Sequence, residues 1–335
     1  MKSAAPIAVV TGGAGFIGSH MVDLLREREF HVRVIDNLAT GRLDNLAHRG
    51  SDPGVTVKIR DLREIQTPEL FDGAEYVFHF AGIGDIVPSV ERPIDYMAAN
   101  VLGTVHALEG ARKAGVRKFV YAASSSCYGL ATDLPTSENA PIAPEYPYAL
   151  SKYQGEQAIM HWGRVYRLPV VSIRIFNAYG PRSRTTGAYG AVFGVFLAQK
   201  LANRPFTVVG DGSQTRDFVF VTDVARAFLL AAESDYTQEV YNLGAGQPQS
   251  VNRLAQLLGG EVTYVPKRPG EPDCTWADIT KIRQHLRWQP FVSFEEGVAT
   301  MLRQIERWRD APVWDPDSIA AATRSWFAAF SGKES

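Results

Sequence analysis

The sequence predicts an α/β fold, in which a doubly wound parallel sheet is followed by a smaller, mainly helical C-terminal domain. Short apolar runs alternate with helical patterns through the first half of the chain, and this alternation changes after residue 177. One apolar run ends in three evenly spaced glycines and passes directly into a helical pattern. Apolar runs that are joined by helical crossovers are typical of parallel strands covered by helices on both faces.

Six apolar runs are predicted strands, and a helix of about residues 93–114 lies between the fourth and the fifth. Because ligands bind such sheets at the carboxyl ends of the strands, we expect the residues that follow each strand to line one rim. The predicted strands are Ile7–Val10, Val32–Ile35, Val55–Ile59, Tyr76–Phe80, Phe119–Ala122 and Val170–Ile175.

Two domains are expected. The first contains all six strands, and a later segment returns to it through a strand near Val240–Asn242. The second begins at the turn Tyr179-Gly180-Pro181-Arg182, where the strand pattern stops, and becomes mainly helical after Pro248. The predicted domains are residues 1–178 with 219–247, and residues 179–335, chiefly 179–218 and 248–335.

Composition excludes several classes of protein. The 335 residues include 35 Lys plus Arg and 36 Asp plus Glu, so the net charge is −1 and neither nucleic acid nor an anionic membrane is an expected partner. Cys127 and Cys274 are far apart and fit no metal or disulfide framework. No apolar run is long enough to span a bilayer. We expect a cytoplasmic protein without a metal centre.

The segment Val9–Gly18 carries the most information, because an apolar strand ends there in Gly12, Gly15 and Gly18. These glycines allow a tight turn, a close approach of main chain to a pyrophosphate, and close packing of the helix on the strand. A glycine-rich turn can also be purely structural. The strand, the helix and a later acidic residue together favour a Rossmann-type dinucleotide site.

That acidic residue is Asp36, which ends the second predicted strand eighteen residues after Gly18. A carboxylate at this position accepts hydrogen bonds from both ribose hydroxyls and repels a 2′-phosphate. The sequence therefore predicts NAD rather than NADP as the cofactor.

Tyr148 and Lys152 are four residues apart and share one face of a predicted helix. A free tyrosine, with a pKa of about 10, is too weak a base at neutral pH. A neighbouring ammonium and an oxidised nicotinamide would favour the phenolate, so we expect Lys152 to lower the pKa of Tyr148. The pair could also be a solvated helix face, but the upstream glycine turn favours a catalytic role for both residues.

A cluster of serines follows the fifth predicted strand, and Ser124 is nearest to the strand end. A hydroxyl at this point can hydrogen-bond a substrate oxygen and help to pass its proton to Tyr148. Serines after a strand are also common turn residues. Ser124 is the third predicted catalytic residue.

The chain resembles the extended short-chain dehydrogenases/reductases, in particular nucleotide-sugar epimerases and dehydratases of the UDP-glucose 4-epimerase type. The resemblance covers nearly the whole chain. Besides the glycine turn and the Tyr148/Lys152 pair, it rests on Asp36-Asn37-Leu38, Asp61-Leu62, His79-Phe80-Ala81-Gly82, Asn100–Thr104, Arg174–Arg182, Gly210–Phe218 and Arg268–Glu271.

The resemblance implies roles for individual residues. Asp61 and Leu62 would flank the adenine, Phe80–Gly82 would run along the cofactor diphosphate, and Arg216 with Arg268 would clamp the substrate diphosphate. The implied cofactor residues are Gly12, Gly15, Phe16, Ile17, Gly18, Asp36, Asn37, Asp61, Leu62, Phe80, Ala81, Gly82, Asn100, Tyr148 and Lys152. The implied substrate residues are Ser124, Ser125, Asn177, Arg216, Phe218, Arg268, Glu271 and Thr275.

Two serines bear on the reaction. The dehydratases and decarboxylases of this family usually carry an acidic residue where this chain has Ser126, and the dehydratases often add an aspartate where it has Ser125. Hydroxyls replace carboxylates poorly in acid–base catalysis. We therefore expect epimerisation, most simply at C4 of a nucleoside-diphosphate hexose through a transient 4-keto sugar. Alternatives are a 2- or 3,5-epimerase, a reductase, less readily a 4,6-dehydratase or decarboxylase, or a non-catalytic NAD-binding sensor.

The identity of the sugar depends on Thr275, where relatives that favour unacetylated sugars often have a bulky aromatic residue. A threonine would leave room for an N-acetyl group. Asp85 and Val87 also depart from common epimerase sequences, which leaves an unusual sugar open. The resemblance further implies a homodimer through a four-helix bundle formed by the 93–114 helix and the helix that carries Tyr148.

Overall fold

The computed structural model describes residues 5–64, 68–185, 191–267 and 269–330. Seven parallel strands form the main sheet, and six of them coincide with predicted strands to within two residues at each end. The seventh, β11, is the strand expected near Val240–Asn242. The strands are β1 (Ile7–Thr11), β2 (His31–Asp36), β3 (Val55–Ile59), β4 (Ala74–His79), β5 (Lys118–Ser124), β6 (Val170–Ile175), β7 (Asn177–Tyr179), β8 (Phe206–Val209), β9 (Thr215–Arg216), β10 (Phe218–Phe220), β11 (Glu239–Leu243), β12 (Gln249–Ser250) and β13 (Val262–Val265).

The strand order of the main sheet is β3-β2-β1-β4-β5-β6-β11. The chain therefore builds outwards from β1 in one direction, returns to pair β4 with β1, and builds outwards in the other direction. Loops diverge at such a reversal, and a crevice opens at the carboxyl ends of the strands there. The fold thus places a cleft above β1 and β4.

Helices cover both faces of the sheet, and the helix expected over residues 93–114 is observed as α3, a short π-helical segment (Ala98–Leu102) and α4. The helices are α1 (Phe16–Glu27), α2 (Pro88–Glu91), α3 (Pro93–Met97), α4 (Gly103–Ala114), α5 (Pro147–Tyr166), α6 (Val192–Leu201), α7 (Val221–Glu233), α8 (Val251–Leu258), α9 (Thr280–Leu286), α10 (Phe294–Arg303), α11 (Pro316–Ala322) and α12 (Arg324–Phe330).

The C-terminal region is less purely helical than the sequence predicts. β13 pairs with β8 in parallel, and β12 pairs with β9 in antiparallel orientation. Both pairs join segments that are far apart in the chain. Strands of two residues, such as β9 and β12, have too short a pattern to be recognised without their partners.

Two apolar layers enclose the main sheet, and a separate cluster of buried side chains forms the core of the C-terminal region. The second core contains Tyr179, Phe193, Phe218 and Trp308, all less than a tenth exposed. No helix among the described residues combines the length and the apolar character needed to cross a bilayer.

Candidate active site

The turn between β1 and α1 has a geometry that requires glycine. Gly12 has φ of +68°, and a Cβ atom there would lie 2.7 Å from the main-chain nitrogen of Ala81. A Cβ atom on Gly18 would overlap the carbonyl oxygen of Gly12. The main chain therefore closes tightly at this turn, and the first turn of α1 faces the cleft. This cradle fits a pyrophosphate at a helix N-terminus.

Asp36 ends β2 at the rim of the cleft. Its carboxylate accepts hydrogen bonds from the main-chain N–H groups of Ala14, at 3.0 Å, and Leu38, at 2.8 Å. Burial raises the pKa of this carboxyl above its ordinary value, and the two main-chain donors oppose the rise. The acid is thus held in a fixed orientation with unused lone pairs, which suits the ribose hydroxyls of NAD.

Asp61 lies at the far end of the cleft and is also held in place. It forms an ion pair with Arg63 at 2.6 Å and accepts a hydrogen bond from Asn37 at 2.9 Å. The hydrogen bonds from Arg63 keep the pKa of Asp61 well below its ordinary value. The neighbouring Leu62 presents an apolar surface, so this end suits an adenine ring with polar edges.

Asn100 supports the loop that follows β4, and its implied contact with the cofactor stays a prediction. It is buried behind the loop after β4, where its side chain accepts a hydrogen bond from the Ile83 N–H at 2.8 Å and donates one to Ser151 at 2.9 Å. A Cβ atom on Gly82 would lie 2.5 Å from its carbonyl oxygen. Asn100 is not among the residues that line the cleft. It positions the loop that does.

The remaining residues implied for the cofactor come together in one cleft of about 610 Å³. Fourteen of the fifteen line it, and the cleft ends at the catalytic candidates Ser124, Tyr148 and Lys152. Those fourteen are Gly12, Gly15, Phe16, Ile17, Gly18, Asp36, Asn37, Asp61, Leu62, Phe80, Ala81, Gly82, Tyr148 and Lys152.

Tyr148, in the first turn of α5, is hydrogen-bonded to the side chain of Ser124 at the end of β5. The Ser124 hydroxyl also lies 2.8 Å from that of Ser126. Burial raises the pKa of Tyr148, and the Ser124 hydrogen bond opposes the rise. In the protein without NAD, desolvation has the largest effect on this pKa. The expected effect of Lys152 and the oxidised nicotinamide on it stays a prediction.

Lys152 lies one helical turn later, with Nζ 4.5 Å from the centre of the Tyr121 ring. Burial lowers the pKa of Lys152 to about 7, and the nearby Glu156 opposes the fall. Glu156 is itself paired with Arg174 of β6 at 2.6 Å, and both side chains are almost fully buried. This ion pair fixes the catalytic helix against the sheet.

Several of the residues implied for the substrate lie close to one another or to Tyr146. Thr275 donates a hydrogen bond to the side-chain oxygen of Asn177 at 2.7 Å. Arg216 and Glu271 lie near Tyr146, because the charges of both act on its hydroxyl. Ser125, which follows Ser124, is partly exposed.

Two other residues implied for the substrate stand apart. Phe218 is 6% exposed and stacks on Phe294 with ring centres 5.2 Å apart, so it belongs mainly to the C-terminal core. Arg268 lies outside the residues that the structure describes.

Sequence reasoning missed one aromatic residue at the site. Tyr146 precedes the catalytic tyrosine by two positions, and the two rings stack with centres 6.3 Å apart. Its side chain is hydrogen-bonded to Ser126. The sequence feature that could have identified Tyr146 as a site residue is its position directly before Pro147-Tyr148.

An ion pair at the mouth of the site was also missed. Asp85 pairs with Arg184, and the charge of Asp85 helps to raise the pKa of Tyr148. These residues are 99 positions apart, so their pairing could not be read from the sequence.

Comparison with known proteins agrees with this geometry. The sequence model of the NAD dependent epimerase/dehydratase family matches residues 8–244. A putative UDP-glucose 4-epimerase of Methanocaldococcus jannaschii is 39% identical over 297 residues, which cover 87% of this chain and 95% of that protein. UDP-glucuronic acid decarboxylase 1 of Arabidopsis thaliana is 33% identical over 305 residues, covering 88% of this chain and 68% of that protein.

Solved structures show the same fold. A UDP-N-acetylglucosamine 4-epimerase from Methanobrevibacter ruminantium, in complex with UDP-N-acetylmuramic acid, has a TM-score of 0.85 and 31% identity over 90% of this chain and 100% of its own. A UDP-glucuronic acid 4-epimerase from Bacillus cereus, in complex with UDP-glucuronic acid and NAD, has a TM-score of 0.83 and 29% identity over 90% of this chain and 99% of its own.

A doubly wound sheet with a dinucleotide cleft and a Tyr/Lys pair in that cleft defines an enzyme of the short-chain dehydrogenase/reductase type. This chain belongs to the NAD-dependent epimerase/dehydratase family. NAD is the cofactor of that family, and the glycine cradle and the fixed Asp36 carboxylate fit it.

Proposed function

We propose that this protein is a nucleotide-sugar 4-epimerase that inverts C4 of a UDP-hexose through a transient 4-keto sugar. The observation that carries the proposal is that Ser124, Tyr148 and Lys152 line the same cleft as the residues implied for NAD. A paired phenol and alcohol at this point can exchange a proton with a sugar hydroxyl. The relative from M. jannaschii carries a 4-epimerase name, which supports the proposal.

Side chains of the protein carry out the proton transfer. Tyr148 takes the proton of the C4 hydroxyl as a general base and later returns it, while Ser124 holds the substrate oxygen and stabilises the phenolate. When bound, NAD supplies the hydride acceptor and donor, and the positive charge of its oxidised ring favours a phenolate at Tyr148. Lys152 would hold the ribose of the cofactor.

The sugar must turn over between oxidation and reduction while its diphosphate stays bound. Arg216, together with Arg268 by family resemblance, would hold that diphosphate, because guanidinium groups pair well with phosphate oxygens. A fixed diphosphate tether allows the keto sugar to rotate and present its other face without leaving the site. Retention of the intermediate then keeps NAD from being released in reduced form.

Two serines separate this proposal from decarboxylation and dehydration. Ser125 and Ser126 occupy the positions at which those enzymes carry acids, and Ser126 is hydrogen-bonded to Ser124 and Tyr146. Elimination or decarboxylation needs an additional acid–base pair that these hydroxyls do not supply.

Thr275 supports an N-acetylhexosamine among the substrates, because its side chain is small and is already bonded to Asn177 at the sugar end of the site. A bulky aromatic at this position would occupy the space beside C2.

A panel of nucleotide sugars tests the function. Purified NAD-loaded protein is incubated with UDP-glucose, UDP-N-acetylglucosamine and UDP-glucuronate, and the isomers are separated. We expect C4 epimers without net NADH, and faster turnover of the acetylated sugar than of UDP-glucose. Stoichiometric NADH with one oxidised product, or a pentose from the glucuronate, would contradict 4-epimerisation. Equal or slower turnover of the acetylated sugar would remove the argument from Thr275.

We also propose a homodimer built on the helices that carry residues 93–114 and Tyr148. Apolar side chains are exposed on both, including Ile94 at 80% and Val165 at 51%. Such a surface is unusual on an unpartnered helix. Sedimentation of wild-type protein and of Ile94→Asp tests this, since the charged variant is expected to sediment as a monomer.

We also propose that the chain forms two domains, residues 1–178 with 219–247 and residues 179–335.

A further inference from the structure

Helix α12, near the C-terminal end of the chain, packs against the sugar end of the site. Trp326 and Phe330 on α12 are 3% and 6% exposed, yet neither belongs to the main apolar layers or to the C-terminal core. They form a small cluster with Val87, and Val90 and Tyr146 pack against it. Their burial therefore joins α12 to residues around the site.

Three contacts join α12 to three different walls of the site. The Trp326 ring lies against Tyr146 with ring centres 5.3 Å apart. Its indole N–H donates to the carbonyl oxygen of Pro269 at 2.9 Å, two residues before Glu271. The hydroxyl of Ser325 donates to Glu91 of α2 at 2.8 Å. One short helix thus contacts three segments that are far apart in the chain.

Tyr146 is the residue through which this packing reaches the chemistry. It stacks on Tyr148, is hydrogen-bonded to Ser126, and lies within the electrostatic reach of Arg216 and Glu271. Removal of Trp326 would expose the face of Tyr146 that points away from these groups. A side chain with free space on one side adopts more rotamers, and a less ordered wall binds a ligand more weakly.

We propose that α12 is a wall of the nucleotide-sugar site and that Trp326 is a positioning residue that holds Tyr146 and the Pro269–Glu271 segment for sugar binding. This inference rests on the proposed function, because it takes the ligand to be a UDP-sugar. α12 lies beyond residue 244, where the match to the family's sequence model ends. The proposed wall therefore lies outside the part of the chain that the family's sequence model describes.

The test compares Trp326→Ala and Trp326→Phe with wild type, all in the NAD-loaded form. UDP-glucose and UDP-N-acetylglucosamine are titrated by calorimetry, and KM, kcat and NAD content are measured alongside. We expect Trp326→Ala to weaken binding and raise KM about 10-fold, with kcat changed less than about threefold. NAD content should not change, and Trp326→Phe should restore most of the affinity.

Two further variants make the test specific. Tyr264→Ala removes an aromatic side chain that is 59% exposed on β13, and it should leave KM unchanged. Tyr146→Ala should weaken UDP-sugar binding as Trp326→Ala does. The double variant should bind no more weakly than the single variant with the larger loss, because both substitutions remove the same contact.

The outcomes are distinguishable. A folded Trp326→Ala protein with wild-type KM and affinity would overturn the inference and leave the epimerase proposal standing. Fully additive losses in the double variant would overturn the route through Tyr146. A wild-type protein that binds neither UDP-sugar would overturn the proposed function, and the inference with it.

Discussion

The cofactor half of the site and its sugar half are held in place by different kinds of interaction. In the cofactor half, main-chain geometry decides the shape: Gly12 and Gly18 permit a close turn, and main-chain N–H groups orient Asp36. In the sugar half, side chains from distant segments meet, as Thr275 and Asn177 do. We therefore expect substitutions in the cofactor half to cause large losses of function and substitutions in the sugar half to cause smaller ones.

The largest effect is expected from Tyr148→Phe, which keeps the ring and removes the hydroxyl. Loss of the general base should lower kcat by about 10³-fold or more, while NAD stays bound because the glycine turn and Asp36 are untouched. Turnover of the best UDP-sugar and NAD content after denaturation measure the two quantities. A variant with near wild-type turnover would refute the catalytic assignment.

Gly12→Ala should damage the cofactor half as a whole. The new methyl group would meet the main chain of Phe80 and Ala81 and would force a left-handed φ on alanine. We expect NAD retention to fall about 10- to 100-fold.

A glycine in the C-terminal region provides the control for Gly12→Ala. Gly194 lies in α6, where the nearest atom to an added Cβ is 3.7 Å away. Gly194→Ala should retain NAD and gain up to about 1 kcal/mol in free energy of unfolding. If Gly12→Ala also kept its NAD, the idea of a main-chain cradle would be mistaken.

Ser124→Ala tests the junction between the two halves through its pH dependence. The Ser124 hydrogen bond lowers the pKa of Tyr148, so its removal raises that pKa and reduces the phenolate fraction at any given pH. We expect kcat/KM to fall about 10- to 100-fold at neutral pH and the acid limb of the profile to move about one unit to higher pH. Ser213→Ala, at an exposed serine, is the control. If the pH profile of Ser124→Ala did not shift, Ser124 would have no effect on the pKa of Tyr148.

The smallest effect is expected from Thr275→Val, which keeps the volume of the side chain and removes its hydroxyl. Asn177 then loses a hydrogen-bond donor, and the Asp217 N–H loses an acceptor at 3.3 Å. We expect KM for the UDP-sugar to rise about 3- to 10-fold, with unchanged NAD content. A loss of NAD from this variant would show that the two halves are not separable.

Much of the cofactor half could be predicted from the sequence, because its signals are local. Gly12, Gly15 and Gly18 lie within seven residues, and Asp36, Asp61 and Phe80 each follow a recognisable strand. The capping box of Ser293 and Glu296 at the start of α10 is a local pattern of the same kind. Such patterns reflect contacts within one turn or one strand, so neighbours in sequence are sufficient to define them.

Other features depended on contacts between segments that are distant in the chain. Asn100, for example, supports the loop after β4 through a hydrogen bond that it accepts from the Ile83 N–H. Burial raises the pKa of Tyr148 in the protein without NAD, because desolvation depends on everything packed around the phenol. No local pattern reports how much water a folded chain excludes from one atom.

The sequence by itself determined the sheet, the dinucleotide turn and the Tyr148/Lys152 pair, since each depends on spacing along one element. Tertiary structure alone decided the contact of Tyr146 with Trp326 and the pairing of Asp85 with Arg184. The residues of the second pair are 99 positions apart, and those of the first are farther apart still. The physical reason is that side-chain packing and charge pairing act through space, whereas periodicity acts along the chain.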